Sequence, residues 1–348
     1  MKLRKITIFT IFTIFSIFIF TYFNFSNIDT VTKYLVYDRE CNVIGEYEIE
    51  EYNSIIKSNS SYFGYCVKDA LASTTTLKQL SENAFKYAYI NVKDCNFGLE
   101  NINQNDTLVE EVYIIGHAYG KPGGNQNFFP KQLSEYLIKN TNNKNSGIAL
   151  TGDFVRENNL DSFRNVKKFI EENFTTYFLA VGNHEVLSNN LVSIKNYNQV
   201  FSTDLFIKDY GNVLIIAANY SNDNWLPSNL QINEINKAIS NSTSDYIILL
   251  SHQIFWLRET GGQIEPNSYS LLKTELLYDS LSWLTDSDKN IIVISGDYGA
   301  FGQETYCLQK NNKIFIANGI GDLNTDTLLK LSIFENKLFL EELKINSE

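Results

Sequence analysis

The chain has 348 residues, with 29 Lys and Arg against 40 Asp and Glu, giving a formal net charge of −11. That length holds one large domain with something smaller beside it. The excess of acid excludes a broad cationic groove tracking a nucleic-acid backbone, so no nucleic-acid partner is expected.

In chain order, residues 1–26 stand apart. Lys2, Arg4 and Lys5 precede an uncharged Ile/Phe/Thr run over residues 6–25, about the length that crosses a bilayer as a helix. No small-x-small cleavage pattern follows and no cysteine sits near the end of the run. The expectation is an uncleaved signal anchor, with a cleaved signal of unorthodox site as the alternative. The positive-inside rule then leaves the N-terminus in the cytoplasm and the rest outside, as a single-pass protein of the cell membrane. Residues 27–108 read as a membrane-proximal region of unassigned role, with a strand-like piece at 33–37, a loop at 58–61 and a helical stretch at 76–87. The four cysteines, Cys41, Cys66, Cys95 and Cys307, are compatible with disulfides outside the cytoplasm, and four cysteines allow three pairings. Three of them fall within 27–108, where a disulfide is expected.

From residue 109 a βα rhythm sets in and runs to the C-terminus, making 109–348 the second domain. Strands are predicted at 112–115, 147–150, 177–181, 245–250 and 290–294, and a strand pair at 209–218 around Gly211-Asn212. Helices are predicted at 130–139, 160–173, 231–239 and 271–284. Runs at 313–317, 327–334 and 337–343 read as antiparallel strands closing a second sheet. Five of the apolar runs break in the same way, into a glycine or serine followed by a side chain able to hold a metal: Gly116-His117, Gly152-Asp153, Gly182-Asn183-His184-Glu185, Ser251-His252 and Gly296-Asp297. In open α/β sheets ligands gather beyond the carboxyl ends of the strands. All three histidines of the chain, His117, His184 and His252, lie at these five ends, which scattered core histidines would not do.

Gly152-Asp153 and Gly182-Asn183-His184-Glu185, with His117 before them and His252 and Gly296-Asp297 after them, resemble the calcineurin-like metallophosphoesterases. The signature of that family runs Asp-x-His, Gly-Asp, Gly-Asn-His-Glu, a lone His after a strand, and Gly-His-x-His. The resemblance covers about 230 residues, from near Glu110 onward, and implies an α/β fold of two packed mixed β-sheets flanked by helices, here preceded by one N-terminal transmembrane helix. It implies hydrolysis of a phosphomonoester or phosphodiester by a metal-activated water. Asp153 is then the bridging or principal carboxylate, and Asn183, His252 and Asp297 complete one metal site, Asp297 standing where the family has the first His of Gly-His-x-His. His117 remains for a second metal, and His184 is the general acid for the leaving oxygen. The mixed oxygen and nitrogen donors suit Mn, Fe or Zn without choosing among them.

Two departures bear on the second metal. Ile115 replaces the Asp of Asp-x-His, and Gly299 replaces the last His of Gly-His-x-His, so one firmly held cation is expected with the second doubtful; Tyr119, Tyr298 and Glu304 are the remaining candidates there. Arg156 stands where some such phosphatases place an Asp that orients the catalytic imidazole. It could contact substrate phosphate or be a solvated charge at a helix start. The substrate is expected to be a phosphorylated small molecule, lipid or glycan. The competing reading is a catalytically reduced member of the fold that binds a phosphorylated surface polymer or a partner. A Gly-Asp-Ser-Leu type acyl esterase is excluded because Phe154, not a nucleophilic serine, follows Asp153.

Overall fold

Apolar runs of five to eight residues without proline become strands throughout the second half of the chain. The structure, a computed structural model, describes residues 34–38, 43–47, 62–63, 88–98, 107–123, 128–141, 146–188, 191–221, 227–268, 277–279, 281 and 287–345. The expected membrane anchor, the helical stretch at 76–87 and most of the helix at 271–284 lie outside the described residues. Among the described residues no helix is long and apolar enough to cross a membrane.

The chain divides into two compact units, Met1–Cys66 and Val67–Glu348. In the first, β1 (Tyr34–Asp38) pairs antiparallel with β2 (Val43–Tyr47) and β3 (Tyr62–Phe63).

The second unit carries β4 (Ala88–Val92), β5 (Cys95–Gly98), β6 (Leu108–Ile115), α1 (Lys131–Asn140), β7 (Ser146–Thr151), α2 (Leu160–Asn173), β8 (Thr176–Ala180) and the one-turn α3 (Asn183–Val186). A short hairpin, β9 (Leu187–Ser188) and β10 (Leu191–Val192), follows. Then come α4 (Lys195–Phe201), β11 (Leu205–Asp209), β12 (Val213–Ala218), α5 (Asn229–Asn241), β13 (Tyr246–Ser251), β14 (Asn290–Ser295), β15 (Tyr306–Lys310), β16 (Lys313–Ala317), β17 (Thr327–Phe334) and β18 (Leu338–Lys344).

Among the described residues these form a seven-stranded sheet, β5-β4-β18-β17-β6-β7-β8, and a six-stranded sheet, β11-β12-β13-β14-β16-β15. Each has a parallel segment, β6-β7-β8 in one and β12-β13-β14-β16 in the other. The parallel strands β7, β12 and β13 are buried along their whole length, as strands covered on both faces must be, and so they read as unbroken apolar runs.

Side chains alternate between two environments. Val112 and Ile114 of β6 join Ile215, Ile248 and Ile292 of the other sheet in the filling between the sheets. Tyr113 and Ile115 point the other way, into a layer completed by Leu133 and Leu137 of α1 and Phe163, Val166 and Ile170 of α2. The outer face of the six-stranded sheet packs on Ile235 and Ile239 of α5 and on Phe255 and Trp256. The result is two mixed sheets face to face with helices on both outer sides, as the α/β expectation had it. Helix α2 has the predicted limits and starts where Asn159 accepts a hydrogen bond from Ser162 N at 2.8 Å, an N-cap that its sequence provides.

Two expectations need correcting. The C-terminal runs do not close one antiparallel sheet: β16 runs parallel to β14 in the six-stranded sheet, whereas β17 and β18 pair with β6 and β4 in the other. Residues 88–98, placed by the sequence in the membrane-proximal region, are two strands of the seven-stranded sheet. Cys95 is bonded to Cys307, 212 residues away, while Cys41 and Cys66, the other two cysteines of the region where a disulfide is expected, lie outside the described residues. Edge pairing and a long-range crosslink leave no local periodicity, so the sequence could not announce them. Because β5 and β15 are the edge strands of the two sheets, the disulfide staples one open side of the sandwich. Closing so long a loop restricts the unfolded chain strongly, so replacing both cysteines by alanine is expected to cost about 2–5 kcal/mol, read as a lower denaturation midpoint with a larger m-value, because the uncrosslinked unfolded chain exposes more surface.

Candidate metal centre

Five strand ends deliver the site, at the carboxyl edge shared by both parallel segments. The isolated parallel bridge between Val181 and Asn219, just past β8 and β12, ties the two sheets together there. From the seven-stranded sheet come His117 after β6, Asp153 after β7, and Asn183 and His184 after β8. His252 after β13 and Asp297 after β14 come from the six-stranded sheet.

The turns are tight enough to dictate their residues. A Cβ on Gly182 would lie 2.2 Å from Asp153 Oδ1, and one on Gly152 would lie 2.5 Å from the Cβ of His252; a larger residue at either place would evict a site side chain. His117 and Asp153 are themselves held left-handed, at φ 49° and 50°, a conformation that non-glycine residues adopt at a cost and that clusters at functional sites.

Glu185 explains how the Asp153 turn is held. Its carboxylate is fully buried. Oε2 accepts from the backbone N–H of Asp153 at 2.8 Å and of Gly182 at 2.7 Å, and Oε1 accepts from Phe154 at 2.9 Å and Val155 at 3.1 Å. Burial, with the neighbouring Asp153, pushes its pKa up, but four donors on two oxygens leave no position for a proton and favour the carboxylate.

The predicted ligands converge. His252 Nε2 lies 3.4 Å from Asp153 Oδ1, 3.0 Å from Asn183 Oδ1 and 3.7 Å from Asp297 Oδ1. Asp153 Oδ2 faces His117 Nε2 at 3.8 Å and His184 Nε2 at 4.0 Å. As the side chains stand, no three His, Cys, Asp or Glu among the described residues form a finished coordination shell. The donor set nonetheless suits a divalent cation: four donors at a tetrahedral ion are about 3.4 Å apart, given bonds of roughly 2.1 Å, which is the spacing around His252. The other ring nitrogen of His252, Nδ1, is 3.1 Å from Thr151 O. With the N–H on that side, Nε2 turns its lone pair toward the two carboxylates and the Asn183 amide, the arrangement by which metal-binding imidazoles are oriented.

The second position is poorer. Ile115 is fully buried in the layer between the seven-stranded sheet and its helices. Gly299 has φ 81°, and a Cβ there would lie 2.1 Å from Gly319 O, so no imidazole fits in its place. Glu304 is exposed and paired with Lys93, away from the site. Tyr298 packs in the apolar layer outside the six-stranded sheet, whereas Tyr119 stands beside the site's imidazoles. Its ring lies between His117 and His184, with centroids at 4.3 and 4.9 Å, and its hydroxyl is 3.3 Å from His184 Nε2.

His184 is about one-third exposed, the most open of the three imidazoles. Its Nδ1 is 2.7 Å from the backbone carbonyl of Arg156, so a main-chain oxygen orients the ring where the sequence lacks the usual aspartate. Neither earlier reading of the Arg156 side chain anticipated this use of its backbone.

Electrostatically the group is strongly coupled. Burial opposes ionisation of Asp153, yet His252, His184 and His117 together hold its pKa below the usual carboxylate range. Burial likewise opposes charge on His252, but Asp153 and Asp297 outweigh it and raise the imidazole to about 10. Burial, helped by Asp153 and opposed by His252, raises Asp297 to about 8. Burial lowers His117 to about 4 and keeps it neutral.

The sign for metal-stripped protein follows. His252, raised above its unfolded 6.5, stabilises the fold below that pH and loses the contribution as pH rises through about 10. Asp297, raised above its unfolded 3.8, binds a proton in the native state that the unfolded chain has released until pH passes about 8. His117 acts oppositely only below 6.5. Stability of metal-stripped protein is therefore expected to fall between pH 6.5 and 8. A divalent cation, whose binding expels those protons, should raise the melting temperature most at the alkaline end; calorimetry across that window checks both slopes.

The sequence signature of the calcineurin-like phosphoesterases matches residues 117–319, which takes in every site residue above. No curated protein matches the chain. Among solved structures, a single-mutant Vps29 from Entamoeba histolytica is similar at 9% identity and TM-score 0.30, over 68% of this chain and 99% of that one. Phosphopantetheinyl hydrolase (PptH) from Mycobacterium tuberculosis is similar at 11% identity and TM-score 0.40, over 62% and 92%.

Proposed function

The chain belongs to the calcineurin-like phosphoesterase family, and from that membership we propose that it is a metal-dependent hydrolase of a phosphomonoester or phosphodiester. The observation that carries the reading is the gathering of Asp153, Asn183, His252 and Asp297 from both sheets around one buried point. These four would hold the firmly bound cation, Mn, Fe or Zn by donor type, and His117 with Asp153 a weaker second one. When bound, the ion supplies a Lewis acid and an acidified water. Asp153, ionised and buried, sets the charge at the centre. His184 gives its Nδ1–H to Arg156 O and presents Nε2 beside Tyr119 at the open side, where the imidazolium can protonate the departing oxygen.

The substrate is a phosphorylated small molecule, lipid or glycan outside the cytoplasm, reached by a single-pass protein anchored through residues 6–25. The uncharged apolar run behind Lys2, Arg4 and Lys5 supports this, as does the Cys95–Cys307 disulfide, a bond that persists in oxidising compartments.

Ile115 and Gly299 favour a second reading, a catalytically reduced protein that binds a phosphorylated polymer or partner. Elemental analysis of the full-length protein, together with hydrolysis of bis-p-nitrophenyl phosphate and p-nitrophenyl phosphate after loading with Mn, Fe or Zn, separates the two. Stoichiometric metal with turnover supports the hydrolase; metal-free, inert protein would leave the binding role.

A further inference from the structure

The loop after the 3-10 turn Leu257–Thr260 carries no recognisable motif, yet it reaches the centre. Asn267 N donates to the Asp297 carbonyl at 2.9 Å. Ser268 N lies 3.0 Å from both carboxylate oxygens of Asp297, and Ser268 Oγ donates to Asn183 Oδ1 at 3.3 Å. We infer that Ser268 is a positioning residue of the metal centre, orienting one ligand from each sheet.

The need for it comes from the chemistry of this chain's own ligands. Asp297 is a carboxylate where the family pattern has an imidazole. A buried carboxylate rotates about its last bond and carries a charge that must be compensated. One N–H shared by both oxygens fixes the plane of the group and leaves the outward lone pairs of Oδ1 free to face His252 Nε2, 3.7 Å away. Asn183 has a different weakness: its amide can turn to offer NH2 instead of oxygen, and an NH2 cannot hold a cation. A hydroxyl that donates to Oδ1 selects the oxygen-inward orientation. Asn183 follows β8 of one sheet and Asp297 follows β14 of the other, so a single residue aligns donors across the interface.

The inference rests on the metal-centre reading, and its test distinguishes the two. Full-length wild type, Ser268→Ala and Ser268→Thr are stripped of metal and titrated with Co(II), following both the dissociation constant and the visible absorption spectrum, while unfolding of each metal-stripped form is measured in parallel. Removing a hydrogen bond to a metal ligand weakens binding by roughly 10–100-fold. Ser268→Ala is expected at about the tenfold end, because it keeps the backbone N–H, and with an altered Co(II) spectrum. Ser268→Thr restores the hydroxyl and should return affinity and spectrum toward wild type, with metal-stripped unfolding unchanged in all three. Equal affinity and spectrum in wild type and Ser268→Ala overturns the inference, as does a loss of Co(II) affinity that merely tracks a loss of metal-stripped stability. Wild type that binds no Co(II) overturns the metal centre itself, and this inference with it.

Discussion

Asp153→Ala is expected to strip the protein of bound metal and to lower phosphoester hydrolysis by at least about a thousandfold, the rate equivalent of several kcal/mol of lost charge stabilisation. Asp153 faces all three imidazoles: Oδ1 faces His252 Nε2 at 3.4 Å and accepts the backbone N–H of His184 at 3.1 Å, and Oδ2 faces His117 and His184. Without it, His117 and His184 lose the carboxylate they face, and Asp297 alone is left as an acidic ligand for the proposed cation. Elemental analysis and steady-state assays on wild type and variant check both halves. Wild-type metal content in Asp153→Ala would remove the basis for the proposed site.

The second large effect is on stability and involves no ligand. Glu185→Ala should leave the backbone N–H groups of Gly182, Asp153, Phe154 and Val155 buried without an acceptor. Breaking a buried charged hydrogen-bond group of this kind costs about 3–5 kcal/mol, a large part of an ordinary domain's margin, and is expected to lower the melting temperature by about 10 °C. Glu185→Gln keeps the shape, but its NH2 must face two backbone donors whichever way the amide is turned, so a loss of about 2 kcal/mol is expected. Equal melting temperatures for Glu185→Gln and wild type would show that the N–H groups find other partners.

How much of this was legible before the fold was known differs by residue. The five strand ends were, because a buried parallel strand needs an unbroken apolar run, and a metal-capable residue after a glycine stands out against it. The convergence of Asp153, Asn183, His252 and Asp297 was readable through their order along the chain. Glu185 was visible as the end of Gly-Asn-His-Glu, but not its work, since its four donors are close only after β7 and β8 pair. Ser268 gave no signal, being one serine in a polar loop whose importance comes from where Asp297 and Asn183 end up. The same holds for β4, which joins the sheet through β18, and for the bond from Cys95 to Cys307: in both cases the partner lies more than two hundred residues away.

The centre draws Asp153 and Asn183 from one sheet and His252 and Asp297 from the other, and the apolar filling between the sheets, together with the Val181–Asn219 bridge, sets the distance between them. Ala149, Ala180 and Ala217 in that filling thus act as shims. Their small size sets how closely the two halves of the ligand cage approach, although none of the three carries a donor of its own. Tuning the grip of the proposed metal site is therefore as much a matter of carpentry in the oily interior as of choosing which polar groups line the cage.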